Sequence, residues 1–210
     1  MQEKKRVITI ARQIGAGGHA VGERLARELN IPFYDDDILK ITSETSAIGE
    51  QYFRLADEKA GGNLLCRIFD SIRPELGEPK VGDRMTKPEN LFRFQAKLIR
   101  ELARGGSCII CGRAANYLLQ EEGLSYVLNV FVHASFEKRV ERVLLRDSVT
   151  RDEAEHRVRK SDRERTEFYQ YYTGKEWTDL RNYDLTIDST QLSIEQVAAL
   201  VKEGMKQRRL

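Results

Sequence analysis

No run of about 18 consecutive apolar residues occurs in the 210-residue chain, which argues against a membrane-spanning helix. The opening MQEKKRVITIA has basic residues but no long apolar stretch, so no signal peptide is expected, and a cytoplasmic location follows by default. Internal repeats and low-complexity tracts are missing too. Net charge is only +2, and no basic stripe with interleaved aromatics runs along the chain, so neither nucleic acid nor membrane is an expected partner. Cysteine is scarce, at three residues. Cys108 and Cys111 form C-x-x-C within SCIICG, which reads as a buried strand. Residues three apart on a strand point to opposite faces, so the pair cannot share a zinc ion or a disulfide.

The remaining composition, 40% hydrophobic and 32% charged, describes a globular protein of one domain spanning 1–210. Strand and helix signals alternate, the mark of α/β architecture with a parallel sheet. Val7 to Ala11 reads as the first strand, His19 to Leu29 as an amphipathic helix stopped by Asn30, and IPFYD as the second strand. SCIIC and SYVLNVFV are near-continuous apolar runs typical of central parallel strands, and YDLTIDS is the last strand. Helices are expected from Pro88 to Arg104 and near Ala114 to Gln120. Another follows Ala134, and Thr150 and Ser193 open capping boxes with Glu153 and Gln196. Residues from about 44 to 90 are punctuated by Gly and Pro and read as an inserted or mobile lobe.

What the glycine-rich turn lacks is as telling as what it has. Gly15, Gly17 and Gly18 join a strand to a helix N-terminus, where bare backbone and the helix dipole favour an anion. The phosphate-binding pattern G-x-x-x-x-G-K-[ST] calls for Lys and then a hydroxyl, and here Gly18 and His19 follow instead. A cation has to come from elsewhere if a phosphoryl group is to be transferred. Arg12 precedes the turn at the end of the first strand, and Arg113 follows the third. Both belong at the carboxyl edge of the sheet, where ligands of open α/β sheets bind. Asp35 to Asp37 end the second strand at the same edge, as water-mediated Mg²⁺ ligands, an acceptor-binding acid or a helix cap. No Asp ends the third or fourth strand, so the metal ligands are not evident. Arginine clusters between Arg139 and Arg181, which suits bidentate phosphate recognition as well as a solvated, salt-bridged surface. On the long helix, Arg151, Glu155, Val158, Asp162, Arg165 and Tyr169 fall on one face, with Arg159 on the flank. Asp162 with Arg165 is either a helix-stabilising pair or a device that holds Arg165 for a ligand.

ITIARQIGAGGHAVGERLA, NIPFYD, IICGRAANYLL, FVHASFEKRVERV, VTRDEAEHRVRKSDRERTEFYQYYTGKEW and NYDLTIDS, in this order and spacing, resemble the cytidylate kinase-like family of P-loop proteins. The resemblance implies a nucleoside-monophosphate-kinase fold: a five-stranded parallel sheet flanked by helices, a monophosphate-binding insertion at about 44–90 and an Arg-rich lid at about 146–178. It implies ATP-dependent phosphoryl transfer to a pyrimidine nucleoside monophosphate, CMP or dCMP, with Mg²⁺ accompanying ATP. Gly15, Ala16, Gly17, Gly18 and His19 would hold the ATP phosphates. Arg12, Arg113, Arg139 and Arg142 would neutralise the transferred group. Asp35, Arg113, Arg159, Asp162 and Arg165 would bind the acceptor. Ordinary cytidylate kinases carry Lys where Gly18 stands and Gly-Arg-Asp where this chain has Gly112-Arg113-Ala114; the cytidylate kinase-like branch commonly shares the missing Lys, and Arg12 is the candidate replacement. Two other readings therefore stand beside this one: a nucleotide sensor without catalysis, and a kinase of another small phosphate acceptor.

Overall fold

The computed structural model describes residues 5–35, 38 and 88–210. The chain alternates strand and helix: β1 (Val7–Arg12), α1 (Gly18–Leu29), β2 (Phe33–Tyr34), α2 (Pro88–Gly105), β3 (Cys108–Cys111), α3 (Ala115–Glu121) and β4 (Val127–His133). It continues with α4 (Phe136–Asp147), α5 (Arg151–Thr173), a short 3₁₀ turn (Leu180–Asn182), β5 (Leu185–Asp188) and α6 (Ile194–Gln207). The five strands are all parallel in the order β2-β3-β1-β4-β5. Of the inserted lobe expected at 44–90, the residues up to 87 lie outside the described ones. From Pro88 the chain is the regular helix α2.

The central strands are apolar on both faces because helices cover both. Val7 pairs with Cys108 and Val127, and the register runs on to Ile10 against Cys111 and Val130. Ile8, Ile10, Ile109, Cys111, Leu128 and Val130 therefore face one way, against Val21 and Leu25 of α1 and Val197 and Val201 of α6. Val7, Cys108, Ile110, Val127 and Phe131 face the other, against Phe92 and Ile99 of α2 and Leu118 of α3. Each such fully buried side chain contributes about 1.5–3 kcal/mol relative to exposure. Cys108 and Cys111 thus lie in different clusters, on opposite sides of the sheet. One polar pair enters this core: Thr9 donates its hydroxyl hydrogen to Asn129 Oδ1 at 2.7 Å.

Local signals set the ends of the elements. Asn30 closes α1 in the left-handed conformation (φ 52°), and Gly174 closes α5 likewise (φ 67°). Thr150 with Glu153 and Ser193 with Gln196 both form complete capping boxes. The α4–α5 hairpin has a small core of its own, in which Val140, Val143, Ala154 and Val158 pack with Ile14 of the glycine turn. That contact joins the hairpin to the carboxyl edge of the sheet.

Candidate active site

The glycine turn lies between the end of β1 and the start of α1. Gly15 (φ 75°) and Gly17 (φ 86°) hold conformations that side chains disfavour. A Cβ on Gly15 would stand 2.6 Å from the carbonyl oxygen of Arg139, so α4 packs directly on the turn. The Gly15 carbonyl accepts from Arg142 Nη1 at 3.2 Å, and the Ala16 carbonyl accepts from Ser189 Oγ at 2.7 Å. Arg142 Nη2 in turn donates to the Ser189 carbonyl at 2.8 Å. Because a trans peptide sets its N–H opposite its C=O, drawing the Ala16 carbonyl inward turns the Gly17 N–H outward. It joins the first amides of α1, which have no partner within the helix, at a helix N-terminus that favours an anion.

Arg139 and Arg142, expected over the transferred group, are engaged differently. Arg142 holds the turn through Gly15 and Ser189. Arg139 is buried, makes two bonds to Asp162 at 2.9 and 2.8 Å, and donates Nε to the Ala134 carbonyl at 3.1 Å. Asp162 is therefore a tie between α4 and α5. Arg159 lies over the Phe136 ring, 4.3 Å from its centroid, and is not among the residues that line the cleft described below.

Arg12, Asp35 and His19 do converge. Arg12 is the last residue of β1, and its Nη2 lies 2.6 Å from Asp35 Oδ1. The other oxygen of this buried carboxylate is 2.6 Å from His19 Nδ1. His19 Nε2 lies 3.5 Å from Glu23, and the ring meets Phe33 edge to face. One acid thus orients both the strand-end arginine and the residue that stands where the loop pattern has its hydroxyl.

After β3 the chain makes a left-handed turn through Gly112 (φ 81°), Arg113 (φ 57°) and Ala114 (φ 53°). For the last two this costs about 1–2 kcal/mol each, and strain of this kind collects at functional sites. The turn points Arg113 into a cleft of about 480 Å³ between the ends of β1 and β3 and the inner face of α5. Arg12, Arg113, Arg165 and Lys160 bring positive charge to it, and Glu164 is the one acid among the described residues lining it. Lys160 pairs with Glu164 at 3.7 Å. Arg165 Nη1 donates to the Arg12 carbonyl at 2.6 Å. Burial, with Arg12 beside it, pushes the Arg165 guanidinium down to about 10. Phe168, Tyr169 and Trp177 supply apolar walls, and Asn116, which donates to Tyr169 Oη at 2.9 Å, lines the cleft as well.

Of the residues named from sequence, the structure brings Arg12, Arg113 and Arg165 to one cleft, with Asp35 and His19 behind Arg12. It sets Arg139, Arg142 and Asp162 to hold the turn and the hairpin. Sequence reasoning missed Ser189 and Asn116, whose roles depend on tertiary contacts. It also missed Ser161 and Phe168, although their spacing from Arg165 places them on its helical face, and Glu164, which stands one residue off that face.

The cytidylate kinase of Methanopyrus kandleri is 30% identical over 113 residues, 50% of this chain, and the chain spans only 58% of that protein's length. The cytidylate kinase of Pyrococcus horikoshii is 29% identical over 205 residues, 98% of this chain and 91% of that one. A shikimate kinase of Legionella pneumophila is 27% identical over 199 residues, 93% of this chain and 91% of that one. Among solved structures, an uncharacterized protein from Eubacterium ventriosum superposes with a TM-score of 0.68 at 22% identity, covering 96% of this chain and 99% of that one. The cytidylate kinase-like family model matches residues 7–191, from the first residue of β1 past the serine that anchors the glycine turn, and the chain belongs to that family.

Proposed function

We propose that this protein transfers the γ-phosphoryl group of ATP to a small anionic acceptor, and that the acceptor is CMP or dCMP. The observation that carries this is the cleft beside the glycine turn, in which Arg165 stays charged despite burial and the neighbouring Arg12. Such an arrangement is unfavourable in an empty site and favourable once an anion enters. Phe168, Tyr169 and Trp177 give a base a surface to pack on.

In this reading the Gly17 amide and the first amides of α1, at Gly18 and His19, hold the ATP phosphates, while the Ala16 N–H is spent on the Gln13 carbonyl at 3.2 Å. The acceptor phosphate lies between Arg113 and Arg165, and Arg12 meets the group in transit. Phosphoryl transfer asks little covalent chemistry of the protein, so positioning and charge neutralisation suffice. Arg139 and Arg142 serve by fixing the turn, Asp162 by fixing Arg139, and Arg159 has no part in the cleft. Among the described residues no three His, Cys, Asp or Glu side chains gather as a metal cage. Mg²⁺ would enter on the ATP phosphates and neutralise part of their charge.

The likeness to a shikimate kinase over 93% of the chain supports a second reading, a hydroxy acid whose carboxylate takes the arginines. Coupled measurement of ADP production, with MgATP and a panel of CMP, dCMP, UMP, AMP, shikimate and gluconate, separates the readings. Turnover with CMP or dCMP well above the acceptor-free rate is expected. Turnover with shikimate or gluconate alone replaces the acceptor. Binding of a non-hydrolysable ATP analogue without ADP production from any acceptor overturns the kinase reading in favour of a sensor.

A further inference from the structure

Aligned on its own spacing, the loop pattern G-x-x-x-x-G-K-[ST] covers residues 12 to 19. Its first glycine falls on Arg12, its second on Gly17, its Lys on Gly18 and its hydroxyl residue on His19. Two positions are therefore reversed: the long cation stands where the pattern has glycine, and glycine stands where it has the cation. The structure connects the two changes. A Cβ built on Gly18 would lie 2.5 Å from Arg12 Cβ and 3.2 Å from Arg12 Cγ. These are stem atoms next to the strand backbone, so they cannot swing aside as a side-chain tip does. Gly18 does not share the positive φ of Gly15 and Gly17, so its backbone does not itself require glycine. What requires it is the passage of Arg12.

Beyond Gly18 the same side chain crosses Gly112, where an added Cβ would collide with Arg12 Nη1. Its guanidinium ends on Asp35. It therefore lies between the turn that would hold the donor and the turn that carries Arg113. We infer that the loop has exchanged its ends: Arg12 is the loop cation, Gly18 and Gly112 are the openings its side chain needs, and Asp35 aims it. The inference rests on the kinase reading above, and it makes residues 12 and 18 mutually exclusive sites for a long side chain.

The test is a four-protein cycle: wild type, Arg12→Gly, Gly18→Lys and the double variant carrying both. Turnover, affinity for a non-hydrolysable ATP analogue and melting temperature are measured for each. Arg12→Gly is expected to lose about 10³–10⁵ in turnover, the range for a transition-state arginine. Gly18→Lys alone is expected to melt below wild type and to lose activity, because Arg12 is displaced. The double variant is expected to melt above Gly18→Lys and to regain at least about tenfold in turnover over Arg12→Gly, the non-additivity of residues that share one space. Additive effects on melting and on analogue affinity overturn the exchange. So does a well-folded double variant that binds the analogue and turns over no faster than Arg12→Gly. If wild type produces no ADP with any acceptor, the kinase reading fails on its own. The melting cycle then still reports whether Arg12 and Gly18 exclude each other.

Discussion

Arg165→Met keeps an unbranched apolar stem and removes the charged guanidinium, and it separates a residue that supports the fold from one held ready for an anion. The depression of the guanidinium from its usual 12.5 to about 10 corresponds to about 3 kcal/mol of disfavoured charge. Burial lowers the folded value of a base here, so this cost is present in full at any pH below about 10 and is relieved only above it. On the other side stands the bond from Arg165 Nη1 to the Arg12 carbonyl, about 1.5–3 kcal/mol for a charged donor. The two nearly cancel, with a remainder of about 0–1.5 kcal/mol in favour of the variant. At about 2–4 °C per kcal/mol for a chain of this size, Arg165→Met is expected to melt between unchanged and about 6 °C above wild type. Removing one partner of a well-compensated buried pair would instead cost about 3–5 kcal/mol. The assay is thermal unfolding at neutral pH with and without inorganic phosphate. Wild type is expected to gain about 2.7 kcal/mol at a phosphate concentration 100 times its Kd, and the variant to lose that gain. A variant that melts more than about 6 °C below wild type and is still stabilised by phosphate as wild type is refutes the reasoning.

Arg113→Ala and Arg113→Gly are both expected to lower turnover at least about 100-fold, while the glycine variant melts about 2–4 °C above the alanine one because it relieves the left-handed turn. Equal melting points would remove the strain argument, and unchanged turnover would remove Arg113 from the site. Arg139→Ala is expected to destabilise by about 1.5–3 kcal/mol through its lost charged hydrogen bonds to the partly exposed Asp162 and to the Ala134 carbonyl, and Arg139→Leu with Asp162→Leu to recover part of it. Denaturant unfolding checks both. Burial pushes the Cys108 thiol up to about 11 and that of Cys111 up to about 12, so neither is expected to react with an aromatic disulfide at pH 8 in the native protein. Peptide mapping after labelling reads this out, and modification of either at the rate of an unfolded control would contradict their placement.

The parts legible in the sequence are those whose cause is local. The capping boxes at Thr150 and Ser193 and the stop at Asn30 depend on residues within one helical turn. The opposite faces of Cys108 and Cys111 follow from strand periodicity alone, and the buried central strands from continuous apolar runs. Roles fixed by partners far along the chain were not legible. Arg139 and Arg142 read as part of an arginine cluster suited to phosphate. Yet Arg139 finds Asp162, 23 residues on, and Arg142 finds Ser189, 47 residues on. The left-handed turn at Arg113 and Ala114 was invisible for another reason: only Gly112 advertises a positive φ, and its neighbours are carried along by the geometry that joins β3 to α3.

The same distinction governs the glycine turn. From sequence, the missing Lys at position 18 reads as a lost cation, and Arg12, just ahead of the turn, reads as its candidate replacement. What sequence does not show is that the two positions share one space, because the six-residue gap is closed by the reversal of the chain between β1 and α1, and the far end of Arg12 is fixed by Asp35 and Gly112 on two other segments. A lysine restored at position 18 without removal of Arg12 therefore adds a second stem to a space that holds one. Evolutionary loss and physical exchange make opposite predictions for that variant. If the cation were simply lost, Gly18→Lys would raise nucleotide affinity with little change in melting temperature. If the ends are exchanged, it lowers both, and affinity returns only when position 12 is emptied.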